Sequence, residues 1–308
     1  MNDKYQDIVI RHIKTKHKIR KIVSYRSDDC DLKAYHQRLN QFIEDGFVPS
    51  IFSKAYVKHR SIYDNALAHM YNDYFVMLDI KSFFQSISHK QLSEKLYYEL
   101  NLIKPDRITR KQCNKIIEDC SINSRGIPLG FVTSPVLSNI YLKDFDGIFY
   151  GKLKTMSLEN VIYTRYADDL TVSFKSSDDI DFNEIKEKIV CTATEILKRL
   201  GLRLNHKKTR SVSLKSANHV RITGISIYSD ADSYRHLTVG RKVKNRLYYD
   251  ALKAYETKET ENIAQIKGLQ SFILSIEKNG YENVYSNVMR QKIEILGFSS
   301  LKELIDSL

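Results

Sequence analysis

The stretch Val161-Ile162-Tyr163-Thr164-Arg165-Tyr166-Ala167-Asp168-Asp169-Leu170-Thr171-Val172-Ser173-Phe174 constrains the fold more than any other. After the two acids, Leu170, Val172 and Phe174 alternate with Thr171 and Ser173, the period-two pattern of a half-buried strand. Before them, Val161 to Tyr166 is rich in β-branched and aromatic residues, which favour strands. The pattern predicts a hairpin with Asp168-Asp169 at or beside its tip. Adjacent carboxylates repel one another unless something positive neutralises them. A solvated turn would also accommodate the pair, so the rest of the chain has to decide.

A chain of 308 residues can bury a large core, as one multi-lobed domain or two modest ones. Its 49 Lys+Arg against 37 Asp+Glu give a formal net charge of +12. That balance points to a polyanionic partner, nucleic acid before anionic membrane. No apolar run approaches the roughly 20 residues that span a bilayer, and Met1-Asn2-Asp3-Lys4-Tyr5 is not an apolar signal segment. Cys30, Cys113, Cys120 and Cys191 form no close pair with metal-ligand spacing. The expectation is a soluble protein of a reducing, intracellular compartment.

Along the chain, Lys14, Lys16, Lys18, Arg20, Lys21 and Arg26 surround the short apolar pair Ile22-Val23. This segment reads either as a solvated face or as a basic strand reaching phosphates. Leu32 to Ile43 has helical spacing and ends before Gly46 and Pro49. Residues 53–70 mix bases and aromatics, as a nucleic-acid channel would. Tyr74 to Ile80 is an apolar run interrupted only by Asp79, the pattern of a buried central strand with a functional acid at its end. Helices are predicted over about 90–100 and 107–120.

The loop Arg125-Gly126-Ile127-Pro128-Leu129-Gly130 has glycines that permit close backbone approach to a ligand. Ser134-Pro135 then reads as an N-cap hydroxyl and first-turn proline of a helix through Ile148. A helix over about 180–200 ends at Gly201. A short strand at 202–204, a hairpin element at 219–228 and a basic helical region from about Leu237 follow. The order strand, helices, hairpin, helix, strand predicts an α+β domain with helices on one face of an antiparallel sheet. In such a sheet Asp79 lies beside Asp168-Asp169. Three converging carboxylates call for a divalent cation, with Mg²⁺ the natural choice and a two-ion arrangement for displacement at phosphorus.

In this order the motifs resemble those of reverse transcriptases, and among them the retron type. Tyr166-Ala167-Asp168-Asp169 is similar to the family's YxDD motif, and Leu78-Asp79-Ile80-Lys81-Ser82-Phe83-Phe84 to its first catalytic motif. Gly126-Ile127-Pro128 through Ser134-Pro135-Val136-Leu137-Ser138-Asn139 resembles its template- and nucleotide-contacting motif. Leu204-Asn205-His206-Lys207-Lys208-Thr209 matches the following lysine motif, and Ile222-Thr223-Gly224 the short turn near the primer grip. The resemblance covers roughly residues 20–230. Its retron character rests on Tyr163-Thr164-Arg165 leading into the acids, on Asn65-Ala66-Leu67-Ala68-His69, and on the Ile222-Thr223-Gly224 triplet. Leu129 departs from the glutamine common in relatives, and Ile222 from the usual valine.

The resemblance implies a right-hand polymerase fold: fingers over 1–70, a ferredoxin-like antiparallel palm over 71–235 with inserted fingers helices at about 90–125, and a helical thumb over 236–308. It implies Asp79, Asp168 and Asp169 as catalytic acids and metal ligands, with the Ile80 carbonyl completing a coordination sphere. Lys208 would be the further catalytic residue at the pyrophosphate. The cofactor would be two Mg²⁺ ions, with Mn²⁺ as a substitute. Phe84 would be the steric gate against a ribose 2′-hydroxyl, although without the resemblance the residue reads as a core aromatic. Arg20, Lys21, Pro128, Leu129 and Gly130 would meet the nucleotide. Arg241, Lys242, Lys244 and Arg246 would hold the duplex through phosphate contacts. Asn65 and His69 are either structural or in contact with RNA, and Thr223-Gly224 would face nucleic acid.

The implied partners are a structured noncoding RNA, its RNA–DNA product, dNTPs and a separate effector protein, in the bacterial cytoplasm, with no membrane and a role in antiphage defence. The length suits an enzyme without RNase H, protease, endonuclease or maturase extension. The alternatives are another defence-associated or intron-like reverse transcriptase, and an RNA-binding scaffold that uses a polymerase fold.

Overall fold

The structure, a computed structural model, describes residues 6–15, 18–176, 180–230, 234–258, 260–278 and 280–308, with the backbone only for those of 13–21. The chain divides into two compact units, one made of Met1–Ser61 and Asn72–Ser213, the other of Ile62–Tyr71 and Leu214–Leu308. These units follow packing, whereas the three segments read from the sequence follow motif order.

In the first unit, β1 (Ile8–Thr15) and β2 (Lys18–Tyr25) form an antiparallel hairpin, so the basic N-terminal segment is strand. Helix α1 (Asp31–Glu44) follows. Helix α2 (Ile62–Leu67) belongs to the second unit. Strand β3 (Tyr74–Asp79) is buried along its whole length, as its unbroken apolar pattern requires. The short α3 (Phe83–Ser86) leads to α4 (His89–Ile103), α5 (Arg110–Asp119) and α6 (Ser134–Lys154). Strands β4 (Glu159–Tyr166) and β5 (Asp169–Lys175) form the hairpin, followed by α7 (Phe182–Arg199) and β6 (Arg210–Ser213). The sheet order is β4-β5-β3-β6, antiparallel at every pairing.

Apolar faces of the helices cover this sheet. Leu92, Leu96 and Leu100 of α4, Leu137 and Phe145 of α6, and Ile189, Ala193 and Leu197 of α7 share one core with Val76, Leu78 and Val172. Each fully buried large aliphatic or aromatic side chain contributes about 1.5–3 kcal/mol. Local signals set the helix ends. Thr109 and Gln112 cap the start of α5 reciprocally, and the Asp181 carboxylate accepts the Asn183 and Glu184 amides at the start of α7. Gly201, at φ +68°, ends α7 in the left-handed conformation that favours glycine.

Two local expectations change. Thr133, not Ser134, is the N-cap of α6, and the Ser134 hydroxyl instead donates to the Pro128 carbonyl at 2.6 Å. Residues 202–204 make only an isolated bridge, Leu204 opposite Ile80. The fourth strand is β6, which pairs with Tyr74–Met77.

In the second unit, β7 (His219–Ile222), β8 (Ile225–Ser229) and β9 (Arg235–Thr238) make a three-stranded antiparallel sheet. Helices α8 (Arg241–Thr257), α9 (Ile263–Ile276), α10 (Asn287–Ile295) and α11 (Leu301–Ser307) complete it. The helical region predicted from Leu237 begins at Arg241, after Gly240 at φ +84°, because β9 occupies the preceding residues. Helix α2 packs on β8. Among the described residues, no helix is long and apolar enough to cross a membrane. Cys113 and Cys120 are buried thiols without a disulfide.

Candidate active site

The β4–β5 hairpin closes between Tyr166 and Asp169, leaving Ala167 and Asp168 as a two-residue turn. Ala167 is at φ +56°, the sign that a tight hairpin turn needs at its first corner. Strand β5 also pairs with β3, and the register sets Asp79 directly opposite Asp169. The Ile80 amide donates to the Asp168 carbonyl at 3.0 Å, which ties the turn to the end of β3. The three acids predicted from the sequence are therefore brought together by strand register.

Asp79 is 7% exposed and fully engaged. Its Oδ1 accepts from Asn205 Nδ2 at 3.0 Å, its Oδ2 accepts from Lys208 Nζ at 2.5 Å, and its carbonyl accepts the Asn205 amide at 2.7 Å. The bond to Asp79 is the first cause that pushes the Lys208 ammonium above its ordinary range. Lys208 sits in a 3-10 turn, His206–Lys208, with its side chain 61% exposed. The Asp169 carboxyl, open to solvent at its rim, is pushed up to about 6. Dehydration is the first cause, followed by the negative charge of Asp168 and Asp79, with Lys208 and Arg210 opposing.

As the side chains stand, no three His, Cys, Asp or Glu among the described residues form a metal-binding cluster. The Lys208 ammonium supplies the positive charge on Asp79 instead. The donor set nevertheless suits a hard divalent cation: three carboxylates crowd one strand end, and Asp169 is driven toward its neutral form first by dehydration and then by the charge of the other two.

The loop at 126–130 is pinned between α3 and β2. A Cβ on Gly126 would meet the Gln85 backbone at 2.8 Å, and one on Gly130 the Val23 carbonyl at 2.2 Å. The glycines thus permit backbone to approach backbone, where the sequence reading had them approach a ligand. The Leu129 carbonyl accepts the Val23 amide at 3.2 Å. A cavity of about 170 Å³ opens here, lined by Val23, Gln85, Arg125, Gly126, Pro128 and Leu129 among others. Phe84 is 7% exposed and packs in the core against Phe83. The side chains of Arg20 and Lys21 lie outside the described residues.

In the second unit, Asn65 and His69 are 1% and 0% exposed, so their side chains as placed do not reach a ligand in solvent. Asn65 Nδ2 donates to Thr223 Oγ1 at 3.1 Å, bracing the β7–β8 turn. Arg241, Lys242 and Arg246 are exposed, and Arg246 pairs with Asp250. Lys244 differs. It is 4% exposed and ion-paired with Glu277 at 2.5 Å, because it falls on the inner face of α8 beside Leu247 and Tyr248. The sequence reading missed Asn205 as an Asp79 partner, although it lies three residues before Lys208. It also missed Tyr56, held at φ +59°, half exposed, with a phenol pushed above its ordinary range first by dehydration and then by Asp168.

Comparison with known proteins identifies a family. Residues 13–227 match the family model described as reverse transcriptase (RNA-dependent DNA polymerase). The retron Ec73 reverse transcriptase of Escherichia coli is 29% identical, over 67% of this chain and 66% of its own length. The retron Ec86 enzyme of the same species is 27% identical over 84% and 73%, and the Myxococcus xanthus retron Mx162 enzyme 27% over 71% and 47%. The chain thus spans about half to three-quarters of these relatives. Among solved structures, apo telomerase from Candida tropicalis is 13% identical with a TM-score of 0.51, covering 96% of this chain and 58% of that one, a likeness of fold alone. The chain belongs to the reverse transcriptase (RNA-dependent DNA polymerase) family, with retron enzymes among its relatives.

Proposed function

We propose that the chain is an RNA-directed DNA polymerase of the retron kind. The observation that carries this reading is the register that sets Asp79 opposite Asp169 with Asp168 at the adjoining turn. Asp79, Asp168, Asp169 and the Ile80 carbonyl are the groups that would hold two Mg²⁺ ions. When bound, the ions would lower the pKa of a primer hydroxyl and neutralise the leaving pyrophosphate.

The chain's own residues do the rest. Lys208, ion-paired with Asp79, would offer its ammonium proton and charge to pyrophosphate. Asn205 keeps the Asp79 carboxylate oriented through its bonds to side chain and backbone. Pro128 and Leu129 line the cavity at this loop, where a nucleotide would lie, with Gly130 next in the chain and Phe84 preceding the lining residue Gln85. Arg20 and Lys21 would meet its triphosphate. Arg241, Lys242 and Arg246 present a basic helix face for sequence-independent phosphate contact. Thr223-Gly224 would abut the primer, with Asn65 and His69 behind them. In these terms 1–70 and the helices near 90–125 serve as fingers, 71–235 as palm and 236–308 as thumb.

The template we assign is a structured noncoding RNA, copied into a short DNA that stays linked to RNA. A separate effector protein and a role in antiphage defence are part of the same proposal and rest on the retron-like motifs of the sequence. Asp168→Asn is expected to abolish primer extension while RNA binding by electrophoretic shift is retained. Polymerisation by that variant would sink the site assignment. Sequencing the copurifying nucleic acid should give one short DNA joined to one RNA, and any other population rejects the retron template.

A further inference from the structure

Arg165 stands one residue before the Tyr166-Ala167-Asp168-Asp169 turn and is fully buried, as is Asp146 of α6. Nε and Nη2 of Arg165 meet the two carboxylate oxygens of Asp146, each at 2.8 Å, a fork-to-fork pair. The Tyr163 hydroxyl donates to the same carboxylate at 2.8 Å. The remaining nitrogen, Nη1, donates to Asn139 Oδ1 at 3.0 Å and to the Ala167 carbonyl at 3.3 Å. Asn139 is itself held by the Ser53 hydroxyl at 2.8 Å and by its own bond to the Ala55 carbonyl at 3.0 Å. On the backbone, Arg165 accepts from the Lys54 amide at 2.7 Å and donates to the Phe52 carbonyl at 2.8 Å.

A buried ion pair is a poor source of stability, since apolar residues of similar volume often do as well or better. What no apolar residue supplies is an N–H aimed at the Ala167 carbonyl. That carbonyl belongs to a non-glycine residue at φ +56°, a conformation that persists only where its surroundings over-determine it. Lysine would not serve, because it lacks the planar fork that grips Asp146 on one edge and leaves a donor on the other.

We propose that Arg165 is a positioning residue: gripped by Asp146, it fixes the Ala167 carbonyl and so the left-handed corner that presents Asp168 and Asp169. The inference rests on the reading of those acids as catalytic.

The test uses the full chain with Tyr163→Phe, Asp146→Leu and Arg165→Met combined, which leaves no buried charge unpaired. The expected result is a melting temperature near that of the parent and faster amide exchange across residues 166–169. Primer-extension kcat should fall about tenfold or more with nucleotide KM changed less than about twofold, since a misplacement of about 1 Å costs on the order of 100-fold. Arg165→Lys, which keeps the charge without the fork, should show the same split and carries the test if the triple variant does not fold. Parental exchange and kcat in a folded variant overturn the proposal. Amide exchange reads the turn whether or not the chain polymerises, so an inactive parent would sink the catalytic reading and leave the turn measurement standing separately.

Discussion

Two hairpins, one in each unit, close with two-residue turns whose first corner is a non-glycine residue at positive φ: Ala167 at 56° and Thr223 at 45°. They are held by opposite means. Behind Ala167 lies a charged fork, with every polar contact of Arg165 and Asp146 made inside the core. Behind Thr223 lies one neutral amide, Asn65, whose Oδ1 is buried and meets no donor among the described residues. The second corners differ as well, Asp168 at ordinary φ and Gly224 at φ +94°, where both corners positive is the type I′ pattern that glycine favours. The contrast teaches that a turn carrying acids has no room for glycine at its second corner and is fixed from behind, whereas a turn that carries none relies on the glycine.

The largest break in this comparison is Arg165→Met alone. It leaves the Asp146 carboxylate buried without its partner and is expected to cost about 3–5 kcal/mol by urea denaturation. A loss under about 1 kcal/mol would mean that water or another cation reaches Asp146. Asn65→Ala removes only a neutral bond and should cost about 1 kcal/mol; a loss as large as that of Arg165→Met would erase the distinction between the braces. The smallest effects belong to the corners. Ala167→Gly and Thr223→Gly each relieve left-handed strain of about 1–2 kcal/mol and add back about 0.5–1 kcal/mol of chain entropy. Net stabilisation by less than about 1 kcal/mol is expected for Ala167→Gly, whereas Thr223→Gly also removes the acceptor of the Asn65 amide, a loss of about 1 kcal/mol, and should come out near neutral. Calorimetry that finds Ala167→Gly clearly less stable would mean that the methyl group, not the backbone, holds that turn, and a clearly stabilised Thr223→Gly would mean that the Asn65 bond contributes little.

What could be read beforehand divides along the same line. Strand alternation exposed the β4–β5 hairpin, and the apolar run ending at Asp79 exposed β3, because burial writes itself into a period. The three acids were legible since acids at strand ends stand out against apolar neighbours. Arg165 was not, because a charged residue in a strand reads as solvent-facing and only the fold reveals Asp146 across from it. Lys244 misled for the mirror reason: its basic neighbours Arg241, Lys242 and Arg246 suggested a uniform basic face, while helical geometry turned this one residue inward to Glu277. Gly126 and Gly130 were rightly marked as sites of close approach, but a single sequence does not say whether ligand or backbone does the approaching. Strand β6 was hidden by its length of four residues, three of them polar.

The excursion of Ile62–Tyr71 out of the first unit also bears on how the chain is made. The ribosome delivers Ile62–Tyr71, with Asn65, Ala66 and His69 destined for burial, before any part of the sheet on which α2 packs. Strand β8 emerges about 150 residues later, a wait of roughly 8–30 s at typical elongation rates of about 5–20 residues per second. Throughout that interval a ten-residue segment waits for the sheet of its own unit while the chain on both sides of it is being made. A C-terminal fragment starting at Leu214 would lack the same piece, so the second unit is not self-sufficient as a contiguous stretch of sequence.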